Sequence, residues 1–291
     1  MKIAAYLESG QPRVGIVSSD MQSVLPLQLS DANSSRGALP IIELLAAGGA
    51  MPPTGAPIAL GMVQLTAPIP RPRRNIFCVG KNYHAHAMEF AGSGFDSSAK
   101  AGGDIPAVPI IFTKVPECVT GPTDPIIIPS GVTDALDYEV ELAVIIGKGG
   151  KGISKADAMQ HVWGYTIVND ATARDWQQRH LQWHLGKSFD TFCPMGPWLV
   201  SADECDGTKT RVRTWINGEL RQDQSTADLI FDIPTLIETI SAGITLYPGD
   251  IIATGTPVGV GIGFKPPKYL KAGDVVKMEI DGIGVIENPV R

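Results

Sequence analysis

The chain has 291 residues, a net charge of −6 and a pI near 5.4, with 44% hydrophobic and 19% charged residues. That is enough for one large domain, or a catalytic domain with a small appendage, in an ordinary soluble globular protein. No Lys/Arg cluster invites nucleic acid, no apolar run approaches a membrane span, and Glu8 interrupts the N-terminus too early for a signal-peptide core.

Residues 1–70 read as a small β-rich N-terminal domain. Ile3–Leu7 and Arg13–Val17 are short strands joined by a Ser-Gly-Gln-Pro turn, and a short helix is predicted over Ile41–Ala47. A connector stiffened by Pro52, Pro53, Pro57, Pro68, Pro70 and Pro72 leads into the main domain, residues 71–291. Predicted strands there include Asn75–Val79, Glu139–Ile146, Gly164–Val168, Arg211–Ile216, Asp250–Ala253 and Asp274–Ile280. Frequent Gly and Pro turns make this a mostly β architecture with a few helices, an α+β chain. The Gly-, Ser- and Ala-rich segment Ala91–Asp104 reads as a mobile loop. Cys78, Cys118, Cys193 and Cys205 lack paired spacing and read as free thiols of a reducing cytoplasm.

In the first part of the main domain, Lys81–Glu89 follows a strand and turns helical from Tyr83. His86 and Glu89 then stand at i and i+3, where a carboxylate can fix the imidazole tautomer and raise its basicity. An incidental surface pair is the plain alternative.

The stretch Asp137–Ile146 carries two glutamates on an apolar strand. Side chains alternate along a strand, so Glu139 and Glu141 share a face, roughly 7 Å apart. They suit a hard divalent cation, Mg²⁺ or Mn²⁺, unless that face is simply solvated. Asp170 ends the strand Gly164–Asn169 and is the candidate third carboxylate, with a helix N-cap as its alternative role. Arg174 and Gln177 lie one turn apart if a helix follows, and could clamp a substrate carboxylate. Lys187, between apolar segments, could stabilise an enolate or snorkel to the surface. His180 and His184 have i, i+4 spacing but no completing ligand, and read as surface residues. The run Thr254–Gly261 follows a short strand, and its N–H groups could hold an oxyanion.

One signal competes. Gly147-Lys148-Gly149-Gly150-Lys151-Gly152 matches G-x-G-x-x-G after a strand and before an expected helix, the pattern of a dinucleotide-binding oxidoreductase. The carboxylates on that strand, and the lack of further βαβ units, argue against it.

The ordered set Asn82-Tyr83-x-x-His86-x-x-Glu89, Asp137-Tyr138-Glu139-Val140-Glu141, Asn169-Asp170-x-x-x-Arg174-Asp175-x-Gln177, Gly186-Lys187-Ser188-Phe189-Asp190 and Thr254-Gly255-Thr256-Pro257-x-Gly259-Val260-Gly261 resembles the fumarylacetoacetate hydrolase superfamily, most of all its short acylpyruvase-type bacterial branch. The resemblance runs from about residue 70 to the C-terminus. It implies a mixed β-roll catalytic domain and a homodimer. It implies Glu139, Glu141 and Asp170 as ligands of Mg²⁺ or Mn²⁺, and His86, Glu89 and Lys187 as catalytic residues. Tyr83, Arg174, Gln177, Gly255 and Thr256 would lie near the substrate. Longer members have a further Asp ligand seven residues before the histidine; here Val79 stands there, so a three-carboxylate site is expected.

The implied reaction is metal-dependent hydrolysis of a C–C bond in an acylpyruvate, a small 2-oxo acid, to pyruvate and a carboxylic acid. The same residues also serve oxaloacetate decarboxylation and keto–enol or double-bond isomerisation. Phe90, Phe95 and Phe264 hint at an apolar or extended substituent.

Overall fold

The computed structural model describes residues 1–91 and 105–291. Of the segment expected to form a mobile loop, all but Ala91 lies outside the described residues, Phe95 included.

The centre is a twelve-stranded mixed sheet. Across its middle run Lys2–Glu8, Cys193–Ser201, Val162–Asn169, Val140–Ile146, Ile251–Ala253, Ile76–Gly80 and Ile110–Lys114. Neighbours on this path are antiparallel except Ile251–Ala253 beside Ile76–Gly80. Lys2 and Ile3 pair with Val200 and Leu199, so the N-terminal strands continue the sheet that carries the carboxylates.

Every residue of Val140–Ile146 is buried, as the apolar run Leu142–Ile146 requires, and Glu141 is buried with it. Its alternating side chains serve two cores. Val140, Leu142, Val144 and Ile146 pack toward Val212, Val276, Met278 and Ile286 of the four-stranded sheet Glu219–Ser225, Arg211–Ile216, Val275–Ile280, Gly284–Pro289. Ala143 and Ile145 pack on the other face with Ile3, Val14, Leu39 and Ile41. Glu139 and Glu141 share the parity of Ala143 and Ile145, so they extend that second face at the strand's start, buried at 4% and 1% exposure.

The predicted strands near residues 3, 13, 75, 140, 164, 211, 250 and 274 are present, and the first long helix spans Leu39–Ala46. The strand Cys193–Ser201 is absent from the predicted set, and its Pro194 and Pro197 are residues that an interior strand rarely holds. It is nevertheless fully buried. Its pairing with Val162–Asn169 shifts register between Tyr165 and Ile167, and the Thr166 hydroxyl donates to the Gly196 and Trp198 carbonyls there, at 3.1 and 2.9 Å.

The glycine motif has a different structure from the one a nucleotide fold requires. Residues 147–161 join two antiparallel strands, and a 3-10 turn at Ala158–His161 stands in place of the expected helix. His180 and His184 are not on one helix either. The helix Arg174–Arg179 ends before His180, and His184 opens the next turn, half-buried with Nδ1 2.9 Å from the Thr113 carbonyl.

Candidate metal centre and active site

The strand Val140–Ile146 and the end of Val162–Asn169 are tied together where the carboxylates emerge. The Asp170 N–H donates to the Glu139 carbonyl at 2.8 Å, and the Glu139 N–H donates to Asn169 Oδ1 at 3.0 Å. One ligand oxygen each from Glu139, Glu141 and Asp170 therefore falls within 4.8 Å of the others, all three residues buried. The helix that follows has Ala173 at its N-cap, so Asp170 does not serve as a cap.

Cations surround two of the three. Lys187 Nζ lies 2.5 Å from Glu139 Oε2 and 2.7 Å from Asp170 Oδ2. Arg174 reaches Glu139 Oε1 at 2.6 Å and Asp137 Oδ2 at 2.9 Å, and donates to Gln177 Oε1 at 3.1 Å. Lys114, 1% exposed, reaches Asp170 Oδ1 at 2.8 Å and also donates to the Ala171 and Lys187 carbonyls.

Four buried carboxylates (Asp137, Glu139, Glu141, Asp170) thus meet three cations (Lys114, Arg174, Lys187), and Glu141 is the one without an ion-pair partner among the described residues. Its acidity shows the imbalance. Burial, then the charges of Asp170 and Glu139, hold the Glu141 carboxyl well above the usual carboxylate range. Burial also works against Glu139, but Lys187 and Arg174 outweigh it and bring that carboxyl down to about 2. An all-oxygen cluster with one uncompensated buried carboxyl fits a hard divalent cation.

The dyad forms as its spacing predicts. Within the helix His84–Ala91, His86 Nδ1 lies 3.1 Å from Glu89 Oε2. His86, Glu139, Glu141, Arg174, Gln177, Lys187 and Thr256 line one cavity. Phe90, Phe112 and Trp183 form its aromatic wall, with ring centroids 5.9 Å apart for Phe90–Trp183 and 5.3 Å for Phe112–Trp183. Gly80 must be glycine there, because an added Cβ would sit 2.2 Å from the Trp183 ring.

The Thr254–Gly261 run does other work than expected. Its amides serve the protein's own carboxylates: Gly255 donates to Glu141 Oε2 at 2.8 Å, Gly259 to Glu89 at 3.1 and 3.3 Å, and Gly261 and Ile262 to Asp137 at 2.6 and 3.0 Å. Asn82 and Gln222 fix the run in turn through the Thr254 and Pro257 carbonyls, both at 2.8 Å. The Gly255 N–H is engaged with Glu141, and Tyr83, 1% exposed, lies outside the cavity lining. Thr256 does line the cavity, its hydroxyl accepting from Gln222 at 2.8 Å.

Sequence reasoning passed over Lys114 and the buried Asp137–Arg174 pair. Lys114 had a weak signal, a lone charge closing the strand Ile110–Lys114. Asp137 had none beyond its place in the motif.

Residues 75–291 match the family model "Fumarylacetoacetate (FAA) hydrolase C-terminal". The oxaloacetate tautomerase YisK of Bacillus subtilis is 54% identical over 233 residues, 80% of this chain and 74% of that protein. The mitochondrial oxaloacetate tautomerase fahd2 of Xenopus laevis is 40% identical over 291 residues, 97% of this chain and 87% of the other. A solved fumarylacetoacetate hydrolase from psychrophilic Exiguobacterium antarcticum has a TM-score of 0.85 at 40% identity, over 100% of this chain and 99% of that one.

Proposed function

We propose that this chain, which belongs to the fumarylacetoacetate hydrolase family, is a metal-dependent enzyme that interconverts the keto and enol forms of oxaloacetate. The observation that carries the reading is a buried three-carboxylate cluster sharing one cavity with a His–Glu pair, in a chain 54% identical to an oxaloacetate tautomerase.

Glu139, Glu141 and Asp170 would hold Mg²⁺ or Mn²⁺, which when bound polarises the keto and carboxylate oxygens of a 2-oxo acid. His86 is the proton acceptor. Glu89 occupies Nδ1, which leaves Nε2 as the basic nitrogen for a C3 proton of the substrate. The C3–H electron pair becomes the C2–C3 double bond, and the keto oxygen takes a proton from solvent, which in turn receives the proton held by His86, to give the enol. In reverse, His86 returns a proton to C3. The Lys187 ammonium places positive charge where the enolate oxygen develops. Arg174 and Gln177, fixed by their mutual contact and by Asp137, orient the substrate carboxylate.

Hydrolysis of an acylpyruvate is the second reading, supported by the likeness to a fumarylacetoacetate hydrolase over the whole chain. There His86 would take its proton from water. The test uses chelator-stripped protein with and without Mg²⁺ or Mn²⁺. Metal-dependent loss of the oxaloacetate enol absorbance without pyruvate release supports tautomerisation. Pyruvate formed from oxaloacetate at the same rate replaces it with decarboxylation, and pyruvate formed only from acetylpyruvate replaces it with hydrolysis.

A further inference from the structure

The dyad stands in a wall between two spaces. His86 lines the reaction cavity, whereas Glu89 lines a second, outer cleft together with Met88, Ile262, Gly263, Phe264 and Lys265. Glu89 is the least buried carboxylate of the site, with 12% side-chain exposure against 5% for Glu139 and none for Asp170. Its two oxygens are divided between these spaces. Oε2 faces His86 Nδ1, and Oε1 accepts from the Gly259 amide at 3.1 Å and lies against Gly263, which lines the outer cleft.

We propose that Glu89 is a proton relay between His86 and solvent in the outer cleft, beyond its part in orienting the imidazole. The step balances without a further reactant. A proton arriving at His86 Nε2 makes the ring cationic, the Nδ1–H bond breaks toward Glu89 Oε2, rotation of the carboxyl group about Cγ–Cδ exchanges its two oxygens, and the O–H bond now on the cleft side breaks to water there. The reverse sequence recharges Nδ1. A cavity closed by Phe90, Phe112 and Trp183 would otherwise have to return each proton through its own mouth. The inference rests on His86 being the proton acceptor, and holds for proton transfer from carbon or from water.

Two measurements on the metal-loaded full chain test it. Glu89→Gln keeps an acceptor oxygen for Nδ1–H but cannot carry a proton. The expected result is a KM within about twofold of the parent, a kcat lower by roughly 100-fold, and recovery of at least about tenfold in concentrated imidazole buffer. A kcat near the parent value, or a loss that imidazole does not relieve, would overturn the relay and leave Glu89 as a positioning residue. The second measurement needs no turnover. The Nδ1 proton of His86 is followed by NMR for its exchange with water, in the parent and in Glu89→Gln, which still accepts from Nδ1–H but cannot carry the proton onward. Exchange slowed at least about tenfold in the variant supports the relay, since the proton must then find another path. Equal rates refute it. A parent inactive on oxaloacetate but showing this exchange difference loses only the tautomerase reading.

Discussion

Glu141→Gln should move metal affinity and metal-free stability in opposite directions. Lys114, Arg174 and Lys187 pair with Asp137, Glu139 and Asp170, and Glu141, 1% exposed, is the one buried carboxylate of the site without an ion-pair partner among the described residues. Glutamine keeps an acceptor for the Gly255 amide, now 2.8 Å from Oε2, and removes the ionisable group. Relief of an imperfectly compensated buried polar group is worth about 1–3 kcal/mol. For a chain of this size that raises the metal-free Tm by roughly 2–5 °C. The sign with pH follows from Glu141 being raised by burial and its acidic neighbours. The folded metal-free parent holds a proton that the unfolded chain gives up, so its stability falls as pH rises above the ordinary carboxyl range, until Glu141 itself ionises. The advantage of the variant therefore grows across that window. Metal affinity should fall by at least about 100-fold, because one of three charged ligands is lost and outer-shell changes alone cost 10–100-fold. Scanning calorimetry of chelator-treated protein gives the first quantity and titration calorimetry with Mn²⁺ the second. A lowered metal-free Tm together with unchanged metal affinity would refute the charge count.

Lys114→Met removes one of the two buried cations on Asp170, Lys187 being the other, together with the donor to two buried carbonyls, and should cost about 3–5 kcal/mol, read as a shift in the denaturant midpoint; a loss below about 1 kcal/mol would mean that Lys187 alone compensates Asp170. Leu142→Ala, at a core position with 1% exposure, should cost about 2–5 kcal/mol in the same assay and spare metal binding. Gly259→Ala should lower kcat and stability together. Gly259 has φ of 107°, and an added Cβ would lie 1.9 Å from the Arg221 carbonyl, so the amide holding Glu89 must move; unchanged activity would show that this amide is dispensable. Chelation of the parent should abolish oxaloacetate tautomerisation while far-UV circular dichroism stays unchanged, and full activity in chelator would exclude a role for the metal.

What the sequence disclosed depended on how local each signal was. The His86–Glu89 contact needs only one helical turn, and the shared face of Glu139 and Glu141 needs only strand periodicity. Both could be read from spacing. The convergence of Asp170 on that pair depends on the register of two antiparallel strands, with Val140 opposite Asn169, and no single segment encodes it. Lys114 and Asp137 are defined by partners 56 and 37 positions away, so only the assembled sheet gives them meaning. The glycine run misled for a related reason. Its free amides invited an external anion, whereas the acids they meet, Glu89, Asp137 and Glu141, lie more than 100 positions earlier.

That run explains how one site can adjust three functions together. Gly255 holds a candidate metal ligand, Gly259 holds the carboxylate that orients the base, and Gly261 with Ile262 holds the acid that fixes Arg174. These are the three groups that must keep a common frame while a proton moves between carbon and nitrogen, since a displacement of about 1 Å can cost roughly 100-fold in rate. A single backbone segment, pinned by Asn82 and Gln222, supplies that frame more rigidly than three separate side-chain contacts could. The cations gather around Glu139 and Asp170 while His86 is carried by a separate helix, so charge stabilisation and proton transfer are divided between different elements. Decarboxylation needs the first without a base, and hydrolysis needs the base together with room for water. Keto–enol exchange, the reaction proposed above, needs both parts and no added reactant.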